Sequence, residues 1–317
     1  MKLSKEQLKK IYYGALSICE TEDGYLQAFQ YTPQQMQYFK ESSDFWYERC
    51  TASNGKTLEF NTKATKFSLE YKIIWVGSED TFELAVDGLI TKIYYVKDLQ
   101  KEGKLSFELP AGDKKVLVYL PADATVLIRN FEIDADVFPV EKKEKVLWMG
   151  DSITQGFGPL RSAHTYVSVA NRLLNYDIIN QGIGGYIYDK NVLVDMEGYS
   201  PDKIIISMGT NQYGTESMKD IEEYYERLSE VYGDRPVLCI TPIWRGDSDS
   251  PEAVEVLARF CQRTKEICAK YSNITIVEGF KLVPHLSEYF LDKLHPNALG
   301  SEIYGRNLVL AIQETGF

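Results

Sequence analysis

The first half of the chain alternates apolar and polar residues with a period of two. One run places its apolar residues on a single face, at Phe67, Leu69, Tyr71 and Ile73. The same alternation recurs in three further runs, at 82–86, 105–109 and 116–120. Alternation of this kind predicts strands with one buried face. After a short helix predicted over residues 4–13, we therefore expect residues 24–138 to be all-β.

A hairpin signal and the spacing of these runs indicate the fold of this half. Asp87-Gly88 lies between two of the runs and is typical of a two-residue turn. Several short strands at regular spacing favour two packed sheets. We predict a β-sandwich, jelly-roll-like domain over residues 1–140.

The pattern changes after a proline and a charged run at 138–145, which we interpret as a solvated connection between domains. Short apolar runs now alternate with segments of helical period. The predicted strands are Val146–Met149, Ile178–Asn180, Lys203–Ser207, Val237–Thr241 and Thr275–Val277. The predicted helices are Tyr166–Leu174, Asp220–Tyr232, Pro251–Tyr271 and Pro296–Ile312. Strands separated by helices predict a parallel sheet covered on both sides, and five strands suit a flavodoxin-like α/β domain over residues 141–317.

Length and charge bound the function. The chain has 317 residues, more than one core usually covers, which supports two domains. A net charge of −11 argues against nucleic acid or an anionic membrane as the partner. No apolar run approaches the roughly 18 residues of a membrane span, and the N-terminus lacks the apolar region of a signal peptide. We expect a cytoplasmic protein with no nucleic-acid or membrane partner; homo-oligomer formation stays open.

Cysteine and histidine usage argues against metal chemistry. The five cysteines form no C-x-x-C pair, which favours buried reduced thiols over a disulfide framework. The three histidines form no H-E-x-x-H motif. We therefore expect no metal and no other cofactor.

Polar motifs follow four of the predicted strands. They are Gly150-Asp151-Ser152-Ile153, Asn180-Gln181-Gly182-Ile183-Gly184-Gly185, Gly209-Thr210-Asn211 and Asp292-Lys293-Leu294-His295-Pro296. The carboxyl ends of parallel strands meet at one edge of a sheet, where ligands bind. Each motif taken alone also fits an ordinary turn or helix cap. Their combination on one edge favours a shared site.

The residue types in these motifs suit acyl transfer. The Ser152 hydroxyl is a nucleophile that needs a base, and His295 is the natural candidate, because an unperturbed imidazole titrates at about 6.5, near the working pH. Asp292, three residues earlier, is placed to orient the ring. The backbone amides of Ser152 and Gly185 and the side-chain amide of Asn211 are candidate donors for an oxyanion.

These ordered motifs resemble the blocks of the SGNH, or GDSL, hydrolase superfamily over roughly residues 146–312. The four residues that name the superfamily match Ser152, Gly185, Asn211 and His295, and Asp292 matches the acid. The resemblance implies a flavodoxin-like αβα sandwich. The whole chain also resembles bacterial two-domain esterases related to carbohydrate esterases. Gln212 departs from the pattern, since many relatives carry an Asp after the Asn, and we expect this to affect local bonding or substrate fit.

Other residues near the predicted edge are candidates for substrate binding, although each also fits an ordinary loop position: Arg161, His164, Tyr213, Trp244 and Arg245. His285 lacks a nearby acid and ranks behind His295 as the base. The α/β-hydrolase G-x-S-x-G motif and the dinucleotide G-x-G-x-x-G motif are both absent.

The resulting hypothesis is a serine esterase that removes a short acyl group from a small-molecule or carbohydrate ester through an acyl-enzyme. The acetyl group and the carbohydrate are implied by the resemblance alone. One alternative is a lipase-like or thioesterase activity, or acyl transfer to an alcohol. Another is a non-catalytic carbohydrate-binding protein.

Overall fold

The computed structural model describes residues 1–78 and 80–317. In chain order the strands over these residues are β1 (Tyr12–Tyr13), β2 (Ser17–Glu20), β3 (Leu26–Phe29), β4 (Thr57–Thr62), β5 (Lys66–Val76), β6 (Thr81–Val86), β7 (Leu89–Tyr95), β8 (Glu102–Glu108), β9 (Lys114–Tyr119), β10 (Ala124–Ile133), β11 (Val137–Pro139), β12 (Lys145–Gly150), β13 (Asp177–Gly182), β14 (Lys203–Ser207), β15 (Val237–Ile240) and β16 (Ile274–Val277). The α-helices are α1 (Lys5–Lys10), α2 (Pro33–Ser42), α3 (Asp44–Arg49), α4 (Ser152–Gln155), α5 (Tyr166–Leu174), α6 (Lys219–Tyr232), α7 (Pro251–Cys268) and α8 (Ala298–Thr315).

The first half is a sandwich of two antiparallel sheets. One sheet has the order β1-β4-β9-β6-β7, with β11 also paired to β4, and the other has the order β2-β3-β10-β5-β8. The alternating apolar residues face each other across the sandwich, and Phe67 stacks between Phe107 and Phe131. Asp87 and Gly88 both have positive φ, 49° and 85°, as the predicted hairpin turn between β6 and β7 requires. The predicted β-sandwich is confirmed.

The second half is a parallel five-stranded sheet in the order β13-β12-β14-β15-β16. This is the flavodoxin-like order that the five strands suggested, and the αβα prediction is confirmed. Neighbouring residues of β12 face opposite sides of the sheet. Val146 and Trp148 pack toward α5 and α8, whereas Leu147 and Met149 pack toward α6 and α7. The carboxyl ends of the strands are thereby left free to carry the polar loops.

The all-β prediction is wrong for residues 33–49, which form α2 and α3. The start of α2 carries a capping box, in which the Thr32 hydroxyl accepts from the Gln35 amide and the Gln35 side chain accepts from the Thr32 amide. Pro33 occupies the first turn, where its missing N–H costs nothing. The predicted helix at 4–13 is also shorter, because α1 ends at Lys10 and β1 follows.

Helices α2 and α3 pack against the second half of the chain. Phe39 is fully buried, and its ring meets the edge of Tyr186 at 5.7 Å between centroids. Trp46 contacts the same ring at 4.9 Å. The segment that forms α2 and α3, between β3 and β4 of the sandwich, therefore contributes to the apolar core on one face of the parallel sheet.

The charged run before β12 is not simply solvated, which corrects the interpretation of residues 138–145. The Lys142 side chain is 8% exposed, and its Nζ donates to the buried carboxylate of Glu59 at 2.6 Å. Burial lowers the pKa of Lys142, although the Glu59 charge opposes the shift. The connection thus ties the two halves together. The predicted boundary between residues 140 and 141 lies between β11 and β12, and stays a prediction.

The five cysteines are all unpaired. Four are buried, but Cys19 is exposed, so the prediction of buried thiols is wrong at that position. Within residues 1–78 and 80–317, no helix combines the length and apolar character needed to cross a membrane.

Candidate active site

Ser152 is the first residue of α4, directly beyond the end of β12. The Asp151 carboxylate caps this helix by accepting from the Ile153 amide at 3.0 Å. Gly156 ends the helix with a φ of 117°. A Cβ at Gly150 would lie 2.1 Å from Thr154 Oγ1, so the tight turn between β12 and α4 excludes any side chain there. The sequence thereby presents the Ser152 hydroxyl at the edge of the sheet.

His295 and Asp292 reach that hydroxyl from a loop that precedes α8. Ser152 Oγ lies 2.8 Å from His295 Nε2, and His295 Nδ1 lies 2.8 Å from Asp292 Oδ2. Gly158 makes this approach possible, since a Cβ there would lie 2.5 Å from the Pro296 carbonyl oxygen and 2.9 Å from His295 Cβ. The structure thus brings together the three residues that the sequence proposed as nucleophile, base and acid.

The surroundings of Asp292 fix the proton on the histidine ring. Burial alone would raise the pKa of Asp292, but hydrogen bonds from the backbone amide and the ring of His295 hold it below its ordinary value. An ionised carboxylate only accepts hydrogen bonds. His295 Nδ1 therefore carries the proton, and Nε2 is left to accept from the Ser152 hydroxyl.

The two other predicted loops lie against each other. Gly185 has a φ of 68°, a conformation that favours glycine. Asn211 Nδ2 donates to the Tyr186 carbonyl oxygen at 2.8 Å, which ties the side chain to the loop that carries Gly185. Within the described part of the chain, the backbone amides of Ser152 and Gly185 have no acceptor. Both amides and the second Asn211 amide hydrogen are thus available to a ligand.

Comparison with known proteins identifies the domain that holds these loops. Residues 148–303 match the model of the GDSL-like Lipase/Acylhydrolase family. The C-terminal domain belongs to this family. A search of curated proteins found no match.

Solved structures share the fold of the whole chain. A salicylyl-acyltransferase from a tetracycline biosynthetic pathway superposes with a TM-score of 0.79 at 17% identity, over 96% of this chain and 94% of the other. A GDSL-like lipase from Bacteroides ovatus gives 0.78 at 19% identity, over 99% and 97%. A family two carbohydrate esterase from Clostridium thermocellum, in complex with cellohexaose, gives 0.64 at 16% identity, over 83% and 93%. The GDSL domain and its N-terminal sandwich thus form a recurring arrangement.

A buried acid precedes Ser152 in the chain. Asp151 is 3% exposed, and burial raises its pKa to about 7, against the opposing effects of the Ile153 amide and the Arg245 charge. Arg245 is itself held by a bidentate pair with Asp247, at 2.9 and 2.7 Å, and by the Thr210 carbonyl oxygen at 2.7 Å. Its guanidinium also lies over the Tyr213 ring, 4.6 Å from the centroid. Arg245 thus anchors the loop that carries Asn211, and substrate binding by Arg245 and Tyr213 stays a prediction.

The other predicted substrate residues have protein partners. Arg161 pairs with Glu83 of the sandwich at 2.6 Å, and His164 lies 3.4 Å from Glu302 of α8. In the described chain neither side chain contacts Ser152, His295 or Asn211, so the structure gives no support to their role in substrate binding. Trp244 stacks on His285, with ring centroids 5.6 Å apart. His285 also bonds to the Phe280 carbonyl oxygen at 2.9 Å, and among the described residues no hydrogen bond joins it to Ser152.

Helix α3 covers the Gly184–Gly185 loop and was absent from the sequence prediction. A Cβ at Gly185 would lie 3.4 Å from the Phe45 ring, and one at Gly184 would lie 3.2 Å from Arg49 Cδ. The Arg49 guanidinium lies over the Phe45 ring at 3.5 Å. The capping box at Thr32 could have revealed the helical segment, but no local signal indicates that it packs on a loop far along the chain.

Proposed function

We propose that the protein is a serine esterase that hydrolyses short-chain acyl esters, acetyl esters above all, through an acyl-enzyme. The observation that supports this most strongly is the continuous hydrogen-bonded chain from the Ser152 hydroxyl through His295 to Asp292, with distances of 2.8 and 2.8 Å. A serine, an imidazole and an ionised carboxylate in this order form a base-activated nucleophile.

The proposed reaction has two halves. Ser152 Oγ attacks the ester carbonyl carbon while His295 Nε2 takes the hydroxyl proton. The C–O bond to the alcohol then breaks, and His295 returns the proton to the departing oxygen. In the second half water attacks the acyl-enzyme, His295 takes a proton from that water, and Ser152 regains it as the acid leaves.

The tetrahedral intermediate of each half carries a negative oxygen. We propose that the Ser152 and Gly185 amides and the Asn211 side-chain amide donate to it, because they belong to the loops next to the nucleophile and have hydrogens to spare. Removing one such donor in other serine hydrolases lowers the rate on the order of 10²–10³-fold.

We further propose that the alcohol part of the substrate is a carbohydrate. Phe45 is 48% exposed beside Gly185; Arg49 covers one face of its ring, and the exposed remainder is a suitable aromatic surface for a sugar ring. The fold shared with the carbohydrate esterase that was crystallised with cellohexaose supports the same reading.

Ester hydrolysis by the purified protein tests the proposal. We expect turnover of p-nitrophenyl acetate well above that of the octanoate, and acetate release from at least one member of a panel of acetylated sugars. Ser152→Ala is the matched control and should be inactive in both assays. A preference for long chains would indicate a lipase-like enzyme, and acyl transfer to added alcohols would indicate an acyltransferase. Folded protein with neither activity would contradict the proposal.

A further inference from the structure

The side chain of Gln155 bridges the sandwich and the loop that carries Gly185. Gln155 Nε2 donates to Asp123 Oδ1 at 2.5 Å, and Gln155 Oε1 accepts from the Gly184 amide at 2.6 Å. Asp123 belongs to the turn between β9 and β10 and is 4% exposed, while Gln155 is 2% exposed. The bridge is therefore buried and joins three separate parts of the chain.

The chemistry of the two neighbours fixes the orientation of the Gln155 amide. A backbone N–H only donates, so Gly184 requires the oxygen of Gln155, and the NH₂ group must then point to Asp123. Only an acceptor satisfies that NH₂ group, and an ionised carboxylate is an acceptor alone. An asparagine at position 123 could donate instead, which would let the Gln155 amide turn over and leave the Gly184 N–H facing another donor.

Asp123 is ionised under the conditions in which the proposed reaction would be assayed. Burial raises its pKa to about 6, against the opposing effects of the Ser78 hydroxyl, the Arg49 charge and the Gln155 amide. At about pH 8 the carboxylate form dominates. The bridge therefore keeps its direction across the neutral and mildly alkaline range.

The bridge links the Gly185 loop to the nucleophile itself. Gln155 ends the same short helix, α4, that Ser152 begins. The loop packs closely on this helix, since a Cβ at Gly182 would lie 2.3 Å from the backbone nitrogen of Gln155. The position of the Gly184 amide relative to α4 thus sets the position of the next amide, that of Gly185, relative to the Ser152 hydroxyl.

We propose that Asp123 is a positioning residue, through which the sandwich domain orients Gln155 and thereby holds the Gly185 amide where the oxyanion forms. The inference rests on the proposed esterase function. If Asp123 has this role, the N-terminal half contributes to stabilising the transition state in addition to any contact that it makes with the substrate.

Asp123→Asn tests the proposal. We expect kcat to fall about 10- to 100-fold with little change in KM, because an oxyanion donor acts only in the transition state and a small misplacement is costly. Glu83→Gln is the matched control, since it removes another buried interdomain carboxylate that has no contact with Gln155. We expect Glu83→Gln to change stability but to leave kcat within about twofold.

A double variant that moves the negative charge from residue 123 to residue 155 distinguishes a positioning role of Asp123 from a general structural requirement for a carboxylate at that position. In the double variant Asp123→Asn with Gln155→Glu, the Asn NH₂ donates to the new carboxylate, which also accepts from Gly184. Every bond of the bridge is restored with the charge on the other residue, so we expect kcat to recover at least about tenfold from the single variant. Gln155→Glu alone sets two carboxylates against each other and should be impaired.

Several outcomes would overturn the inference. One is an Asp123→Asn variant with wild-type kcat, and another is a folded double variant no faster than Asp123→Asn. If Asp123→Asn does not fold, Gln155→Met serves instead, since it removes the acceptor for the Gly184 amide and leaves the sandwich intact. A wild-type kcat in that variant would also contradict the proposal. Failure of the esterase function is separate, because it appears as inactive wild-type protein.

Discussion

The two loops that meet near Ser152 are held by different parts of the chain. The loop after β13, which carries Gly185, is held by the first half of the chain: Asn54 Nδ2 donates to the carbonyl oxygens of Asn180 and Gly182 at 3.0 and 3.1 Å, and α3 covers it from outside. The loop before α8, which carries His295, is held by contacts within the second half of the chain, among them a hydrogen bond from Gly246 N to the Lys293 carbonyl oxygen at 2.6 Å. Leu291 N donates to the His295 carbonyl oxygen at 2.8 Å, and the Asp292 side chain is 44% exposed.

This difference separates two parts of the proposed chemistry. The loop with His295 is held within the GDSL domain, and its Asp292 side chain is half-exposed, so Asp292 can be changed at little cost to the fold. The loop that carries Gly185 lies where the sandwich meets the GDSL domain, with Gly184 buried and Gly185 exposed. We therefore expect variants of the base loop to affect the reaction alone, whereas variants around Gly185 also report on the sandwich.

The largest effects are expected at the nucleophile and the base. Ser152→Ala and His295→Ala should each lower kcat by on the order of 10⁴-fold or more, because the two groups act as a unit. Their unfolding midpoints should stay near that of the wild type, as measured by circular dichroism. Substantial turnover in a folded Ser152→Ala protein would break the assignment of this loop to catalysis.

Asn211 tests the oxyanion side. Asn211→Ala should lower kcat about 10²–10³-fold with a smaller change in KM, since the oxyanion exists only in the transition state. It should also destabilise the protein, because the bond to the Tyr186 carbonyl oxygen is lost. Steady-state kinetics with p-nitrophenyl acetate and a denaturant titration measure the two effects. A change in KM alone would count against the assigned role.

Asp292 tests the base side. Asp292→Asn should lower kcat about 10²-fold, less than the roughly 10⁴-fold effect known for a fully buried acid, because water can replace a half-exposed carboxylate. The free energy of unfolding should change little. Wild-type kcat would mean that Ser152 and His295 work as a dyad.

Asp151 is the buried N-cap residue of α4, directly before Ser152, and its effect should appear in stability. Its pKa is about 7 when folded and 3.8 as a free group, so the cost of burying its charge is absent below about pH 4, grows as the pH rises to 7, and is constant above. Asn can still cap α4. Asp151→Asn should therefore stabilise the fold by on the order of 1–3 kcal/mol at about pH 8 and by almost nothing at about pH 4. Equal gains at both pH values would refute this explanation.

Phe45 offers the mildest test of the contribution from α3. Phe45→Ala should raise KM for an acetylated sugar about three- to tenfold through loss of the aromatic surface. Phe138→Ala, which removes a 62% exposed ring on β11, is the matched control and should leave KM unchanged. Equal effects of the two substitutions would argue against sugar binding at Phe45.

The sequence predicted what depends on local pattern. Period-two alternation identified β5, β6, β8 and β9, and apolar runs identified the five parallel strands, because each reports burial within a few residues. The spacing of Asp292 and His295 predicted their contact for the same reason. The motifs at strand ends predicted that Ser152 and His295 would meet, since parallel strands share one edge.

What depends on tertiary contact was not predicted. The polar sequence of α2 concealed a helix whose few apolar residues, such as Phe39, are buried against another domain. Lys142 lies in a charged run, but its side chain is buried because it pairs with Glu59, which is far away in the sequence. Nothing local pairs Asp123 with Gln155. The meeting of Ser152, Asp292 and His295 could thus be predicted from the sequence, whereas the contacts that hold the Gly185 loop could not.

The central claim is that His295 activates the Ser152 hydroxyl as a nucleophile. Treatment with a fluorophosphonate, followed by digestion and mass spectrometry of the peptides, tests it most directly. We predict one adduct, on the oxygen of Ser152, whose formation is slowed by orders of magnitude in His295→Ala. Folded wild-type protein that stays unlabelled, or that carries the adduct on another residue, would contradict the account.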